Sequence, residues 1–170
     1  MKKDDKDSRF SWLAEGNAKQ ARKRVAAKAV MRDKVSRILL VNPTYKEYWD
    51  LPGGMVEANE PLRVAAEREI VEELDFQAKI GHLLGIDWIG PHGPWDDQLV
   101  FTFDGGILAD EAIKELRVVD SEISEFGFFS ASDASRLLRN DIAQRLMRAL
   151  DSLETYHVSY LEHQIVENSE

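Results

Sequence analysis

Gly54-Met-Val-Glu-Ala-Asn-Glu60 and, seven residues on, Arg68-Glu-Ile-Val-Glu-Glu-Leu-Asp-Phe76 are the stretches that decide how this chain folds. Leu62, Ala66, Ile70 and Leu74 recur every four residues, which predicts a helix running to about Leu74 with one buried stripe. Pro61 suits the first helical position, with Glu60 at the cap. Glu69, Glu72 and Glu73 stand at i, i+3 and i+4, so they share a face with Ala65 beside that stripe. Three uncompensated acids in one spot repel one another unless a cation joins them. An all-oxygen ligand set suits a hard divalent ion that also takes substrate phosphates, such as Mg²⁺.

Strands surround this helix. Arg24–Arg32 and Arg37–Asn42 read as two strands joined by the turn Asp33–Ser36, which predicts a hairpin. Trp49–Leu51 reads as a short strand leading into Pro52-Gly53-Gly54. Further strands are expected over Ala78–Ile89, Gln98–Phe103 (with Gly105-Gly106 interrupting) and Glu125–Phe129. Asp110–Leu116 is expected as a helical turn. Ser132 and Asp141 are read as caps of helices Asp133–Leu138 and Ile142–Leu153. Tyr156–Glu162 reads as an edge strand or a tail. The domain reading is a charged, frayed arm over 1–20, one domain over 21–163 and a polar tail over 164–170.

Bulk composition bounds the function. A 44% hydrophobic content in 170 residues can build a substantial core. With no cysteine there is no disulfide, thiolate nucleophile or zinc–thiolate site. That absence suits a cytoplasmic protein, which is the expected location; the N-terminal stretch does not read as a signal peptide, and no apolar run reaches the length of a membrane span. The net charge of −9 splits into +7 over residues 1–37 and −16 over residues 38–170. The acidic body argues against nucleic acid as a partner. The basic segment reads as a solvated arm or as a source of phosphate contacts.

The spacing around the acidic helix resembles the Nudix box, G-x5-E-x7-R-E-U-x-E-E-x-G-U, with U a bulky aliphatic. Gly54, Glu60, Arg68, Glu69, Glu72 and Glu73 fill its functional letters and Ile70 fills the first U. Phe76 takes the last U, and Asp75 replaces the box glycine. Asn59 stands where the flanking pattern often has a second glycine. Asn and Asp both tolerate the left-handed backbone that a turn and a helix cap require. Glutamates at helical spacing are common on solvated faces. Six prescribed residues, each at roughly 5–7% usage, match together by accident in far fewer than about one in ten thousand chains.

The resemblance implies an α/β fold, a Nudix-type α/β/α sandwich with a mixed sheet. It implies hydrolysis of a phosphoanhydride in a nucleoside diphosphate linked to another moiety, such as ADP-ribose, a nucleotide sugar or a nucleoside triphosphate. Glu69, Glu72 and Glu73 would ligate Mg²⁺ (or Mn²⁺), with the backbone carbonyl at Gly53 or Gly54 adding a neutral ligand and Glu57 as a possible extra one. Arg68 is expected to clamp Glu60 or another box carboxylate by charge-assisted bonds. Glu69, Glu122 and Glu125 are the candidates for the general base. On the substrate side, Trp95 in the loop Gly90–Asp97 is the expected platform for a base, and Arg24, Lys28 and Arg37 are expected either to meet phosphates or to sit on strand surfaces. Family analogy also allows a homodimer. Two rival readings are a catalytically inactive Nudix module that binds a nucleotide and regulates a partner, and a domain that metal merely stabilises.

Overall fold

Alternation along Arg24–Arg32 organises the molecule. This strand, β1, points Ala27, Ala29 and Met31 to one side of the sheet and Val30, of opposite parity, to the other. The computed structural model describes residues 3–164. After the helix α1 (Lys3–Ala18) and β1 come β2 (Ile38–Pro43), β3 (Gly53–Met55), α2 (Leu62–Leu74), β4 (Leu83–Ile89) and β5 (Gln98–Ile107). Then follow α3 (Asp110–Glu115), β6 (Ile123–Phe129), α4 (Ala131–Leu137), α5 (Asn140–Thr155) and β7 (Ser159–His163). The strands form one mixed sheet in the order β6-β2-β1-β5-β4-β7, with β3 also paired to β1.

Two cores sandwich this sheet. Ala65, Ala66, Ile70 and Leu74 of α2 pack on Ala27, Ala29 and Met31 with Leu39, Val41 and Phe103. Ile142, Ala143, Leu146 and Ala149 of α5 pack with Ala134 and Leu138 on Val30, Ile38, Leu40 and Leu84. The fold is therefore the expected α/β/α sandwich. Full burial of a side chain such as Ile70 or Leu74 contributes roughly 1.5–3 kcal/mol. The alanines of β1 let α2 lie close to the sheet. No described helix is long and apolar enough to cross a membrane.

Several expectations are corrected. The hairpin between β1 and β2 shrinks to one register pair, Arg32↔Ile38, because β3 takes the same edge of β1 over Ala26–Lys28, while β5 runs parallel along the other edge from Arg24↔Gln98 to Arg32↔Ile107. Trp49–Leu51 makes only isolated bridges, Val41↔Asp50 and Trp49↔Leu138, and the strand falls instead on Gly53–Met55, with Ala27 opposite Gly54. β4 begins at Leu83 rather than Ala78, since Ile80 is drawn into the α2 core. β5 runs through Gly105-Gly106, whose left-handed Gly106 (φ 79°) accompanies a register shift instead of a stop.

The caps also differ from expectation. Ser130, not Ser132, accepts the Asp133 N–H at 3.1 Å. Arg139 precedes α5, with Asp141 inside its first turn. Glu60 does not cap α2, because Arg68 claims its carboxylate. Asn59 (φ 63°) and Asp75 (φ 53°) do adopt the left-handed conformation, and the Asp75 N–H closes α2 on the Val71 carbonyl. Residues 3–18 are helical rather than frayed, with Phe10, Trp12 and Leu13 exposed. β7 joins β4 as a parallel edge strand. The expected tail from 165 to 170 lies outside the described residues.

Candidate active site

The glycine pair brings backbone against side chains at the start of α2. Gly53 (φ 114°) lies so near the Ala27 carbonyl that any β-carbon would overlap it. A β-carbon on Gly54 would overlap the Glu69 carboxylate. Only glycine allows both approaches. The Gly53 N–H then donates to Glu73 Oε2 at 3.0 Å.

Arg68 gathers the remaining acids. Its Nε donates to Glu60 Oε1 at 2.9 Å and its Nη2 to Glu60 Oε2 at 3.0 Å. Nη1 donates to Glu69 and to Glu72, both at 2.9 Å, and Nη2 reaches the Met55 carbonyl at 3.0 Å. Glu60 in turn accepts the Glu57 N–H at 2.9 Å, which ties the loop to the helix. These bonds, to Glu60 first, raise the Arg68 pKa, and Arg68 holds the Glu60 carboxyl below its usual range.

The electrostatics differ along the acidic face. Burial pushes the Glu73 carboxyl up to about 7, against the opposing pull of Lys28 and the Gly53 N–H. Burial also raises Glu69, opposed by Arg68. Among the described residues no three acidic or histidine side chains converge as a ready-made ion cage. The donor set nevertheless fits a divalent cation. Glu69, Glu72 and Glu73 line one cavity with the Gly53-Gly54 backbone, Glu69 is pressed against Gly54, and Glu73 is disfavoured as a bare anion.

That cavity, about 580 Å³, gathers some expected residues and leaves others outside. Trp95 and Arg24 line it together, the guanidinium 4.5 Å above the indole centroid. Glu122 lines it as well. Glu125 is instead an exposed acceptor for Asn42 Nδ2 at 3.1 Å on β6. Arg37 does not line the cavity, and its Nε pairs with Asp33 at 2.6 Å in the β1–β2 turn. Glu57 is exposed and outside the lining. Lys28 is half-buried, pairs with Asp50 at 3.2 Å, and donates to the Gly53 and Leu51 carbonyls. Burial alone would lower its pKa; Asp50 and Glu73 outweigh that and raise it.

Sequence reasoning passed over Lys46, Asp50, Asp120, Arg139 and Arg145, all of which line the cavity. None sits in a motif, and they come from the segment after β2, the segment before β6, the residue before α5 and α5 itself. Lys46 pairs with Asp50 at 2.7 Å, and Arg139 Nη1 donates to the Tyr48 hydroxyl at 3.0 Å.

The NUDIX domain family model matches residues 22–150. The chain is similar to diphosphoinositol polyphosphate phosphohydrolase 2 of Rattus norvegicus, 39% identical over 66 residues, 38% of this chain and 37% of that protein. The Homo sapiens protein of that name is 38% identical over 66 residues, again 38% of this chain and 37% of that protein. The match thus spans little more than a third of these curated relatives. Among solved structures, a UDP-X diphosphatase superposes with a TM-score of 0.70 at 19% identity, over 91% of this chain and 74% of that one. A MutT NUDIX hydrolase from Burkholderia pseudomallei gives 0.64 at 25% identity, over 75% of this chain and 98% of that one.

Proposed function

The chain belongs to the NUDIX family, and on that premise we propose that it hydrolyses a phosphoanhydride in a diphosphate joined to another moiety, a nucleoside diphosphate derivative first among them. One observation supports this reading above the others. A single cavity of about 580 Å³ joins three box carboxylates and the Gly53-Gly54 backbone to Arg24 and Trp95. It offers an acidic floor for a cation and an aromatic wall for a base.

Glu69, Glu72 and Glu73, with the Gly54 carbonyl, would hold Mg²⁺, or Mn²⁺ in its place. Such an ion, when bound, screens the diphosphate and lowers the pKa of water. The chain does the rest. The Gly53 N–H fixes Glu73, and the Gly54 backbone meets Glu69. Arg68 positions rather than reacts: its fork holds Glu60 and the Met55 carbonyl, so the loop keeps its place above α2. Water oxygen forms the new bond to phosphorus, the bridging anhydride oxygen leaves with the other phosphate, and a carboxylate takes the water proton. Glu69 and Glu122 line the cavity, which favours them over Glu125 as that acceptor. Trp95, with Arg24 across its other face, would stack the base.

The test is turnover with Mg²⁺ on a panel holding ADP-ribose, nucleotide sugars, nucleoside triphosphates and, after the curated relatives, diphosphoinositol polyphosphates, with products identified. At least one diphosphate should be cleaved, chelation should stop it, and Glu73→Gln should slow it by about a hundredfold or more, as loss of a metal ligand does. Binding without turnover would instead support an inactive module that senses its ligand. Near-parental rates in Glu73→Gln would contradict the proposal.

A further inference from the structure

A file of alternating charges leaves the acidic floor and crosses the cavity wall. The Gly53 carbonyl, beside Glu73, accepts from Lys28; Lys28 pairs with Asp50 at 3.2 Å and Asp50 with Lys46 at 2.7 Å. Lys46 lies 5.2 Å from the centroid of the Tyr48 ring, and Arg139 lies 5.1 Å from it. Arg139 Nη2 donates to Asp141 at 2.8 Å, Arg145 stands 3.7 Å from Asp141, and Arg145 Nε donates to Asp87 at 2.7 Å. Acid and base alternate along the file except at Tyr48, where two cations, Lys46 and Arg139, stand against one ring. Asp87 also meets His163 at 3.3 Å.

Pairing at the far end of the file is incomplete, with Asp87 Oδ1 and His163 Nε2 lacking hydrogen-bond partners among the described residues. The Arg145 side chain is only 6% exposed, yet its Nη2 finds no hydrogen-bond partner among the described residues. Leaving a buried charged donor unpaired is costly unless something else answers it. Burial, with Lys28 and Arg139 nearby, lowers the Lys46 pKa despite the contact with Asp50. Cations gathered around one tyrosine in a cavity wall therefore repel one another, as the box acids do, but with the opposite sign.

We infer that Lys46, Tyr48 and Arg139, backed by the charge of Arg145, form an anion subsite for a phosphate group of the ligand separate from the diphosphate held over the box. Lys46 supplies a point charge, Arg139 a planar donor fork and Tyr48 a hydroxyl, a set that matches phosphate oxygens. The inference rests on the proposed hydrolase reading only in placing a diphosphate over the box. It assigns the substrate a chemical class: a diphosphate whose attached moiety carries a further phosphate.

The full chain, kept metal-free with EDTA, is titrated with inorganic phosphate and followed by NMR at the Tyr48 ring and the Arg139 and Arg145 side chains. A saturable shift at these groups is expected, with Kd raised at least tenfold in Lys46→Gln. Arg139→Gln should act likewise; because Arg139 also holds Asp141, Lys46→Gln carries the result if that variant fails to fold. In a second arm, phosphate should still bind when Mg²⁺ and a non-hydrolysable methylene diphosphate are present at saturation. No saturable shift at these groups, parental affinity in Lys46→Gln, or competition by the methylene diphosphate would overturn the assignment. Phosphate binding in a chain that cleaves no diphosphate would break the hydrolase reading and leave the subsite standing; turnover without phosphate binding would do the reverse.

Discussion

The acidic floor and the basic wall of the one cavity are assembled in opposite ways. The floor comes from a single contiguous stretch, Gly53 to Glu73, in which the short strand β3 and the helix α2 supply every group. Helical periodicity alone sets Glu69, Glu72 and Glu73 side by side, so their meeting needs no tertiary contact. The wall draws Lys28 from β1, Lys46 and Asp50 from the segment after β2, and Arg139 and Arg145 from the region of α5. Those groups meet only because α5 packs on the face of the sheet that β1 and β2 help to form. Chemistry written locally survives as a pattern; chemistry written by packing does not.

The floor should be the more sensitive region for turnover. Glu73→Gln should lower the rate by about a hundredfold or more, measured with Mg²⁺ on the substrate the panel identifies. Since the change also preserves a hydrogen-bond acceptor for the Gly53 N–H, the thermal midpoint should stay near the parent's.

The wall should be the more sensitive region for stability. Burial alone would push the Asp50 carboxyl up, but Lys28 and Lys46 outweigh it and hold it well below the usual carboxylate range. A depressed folded-state pKa means stability that is present above the unfolded value of about 4 and lost as pH falls through the folded one. Asp50→Asn leaves two half-buried cations without their shared counter-charge. It should cost about 3 kcal/mol in urea unfolding near neutral pH, and it should flatten the acid limb of the stability profile. An unchanged acid limb would mean that the wall's ion pairs do not hold the fold.

Arg68 tests whether the floor needs its organiser. Arg68→Lys keeps one charge but cannot reproduce the fork that reaches Glu60, Glu69, Glu72 and the Met55 carbonyl. Turnover should fall about tenfold, mainly in kcat. A parental kcat would show that the fork is structural ornament. Trp95→Ala should raise KM severalfold with little change in kcat, because stacking is worth roughly 1–3 kcal/mol per base. An unchanged KM would remove Trp95 from the binding surface. Arg37→Ala, at a turn outside the cavity, should leave turnover within about twofold of the parent while loosening only the bond to Asp33.

What could be read in the sequence follows the same division. Leu62, Ala66, Ile70 and Leu74 betrayed α2 by their spacing, and Asn59 and Asp75 betrayed its flanking turns by their tolerance of positive φ. β1 was visible as a strand, but its parallel partner β5 was not, because Arg24 and Gln98 are brought together by a crossover that no local pattern records. The glycines at 105 and 106 looked like a stop and proved to be a bulge, since only the neighbouring strand decides between the two. Arg37 looked like a phosphate ligand because nothing in its own strand shows that Asp33 already holds it. Arg139 and Arg145 drew no reading from the sequence, because only the packing of α5 against the sheet places them in the cavity wall.

The central claim, that the box acids are held together by a divalent cation which also grips a diphosphate, is tested most directly by anomalous diffraction. Crystals soaked in Mn²⁺ with a non-hydrolysable nucleoside diphosphate derivative should show a manganese peak within bonding distance of Glu69, Glu73 and the diphosphate oxygens. A map with no peak among these carboxylates, or with the diphosphate bound away from them, would contradict the account.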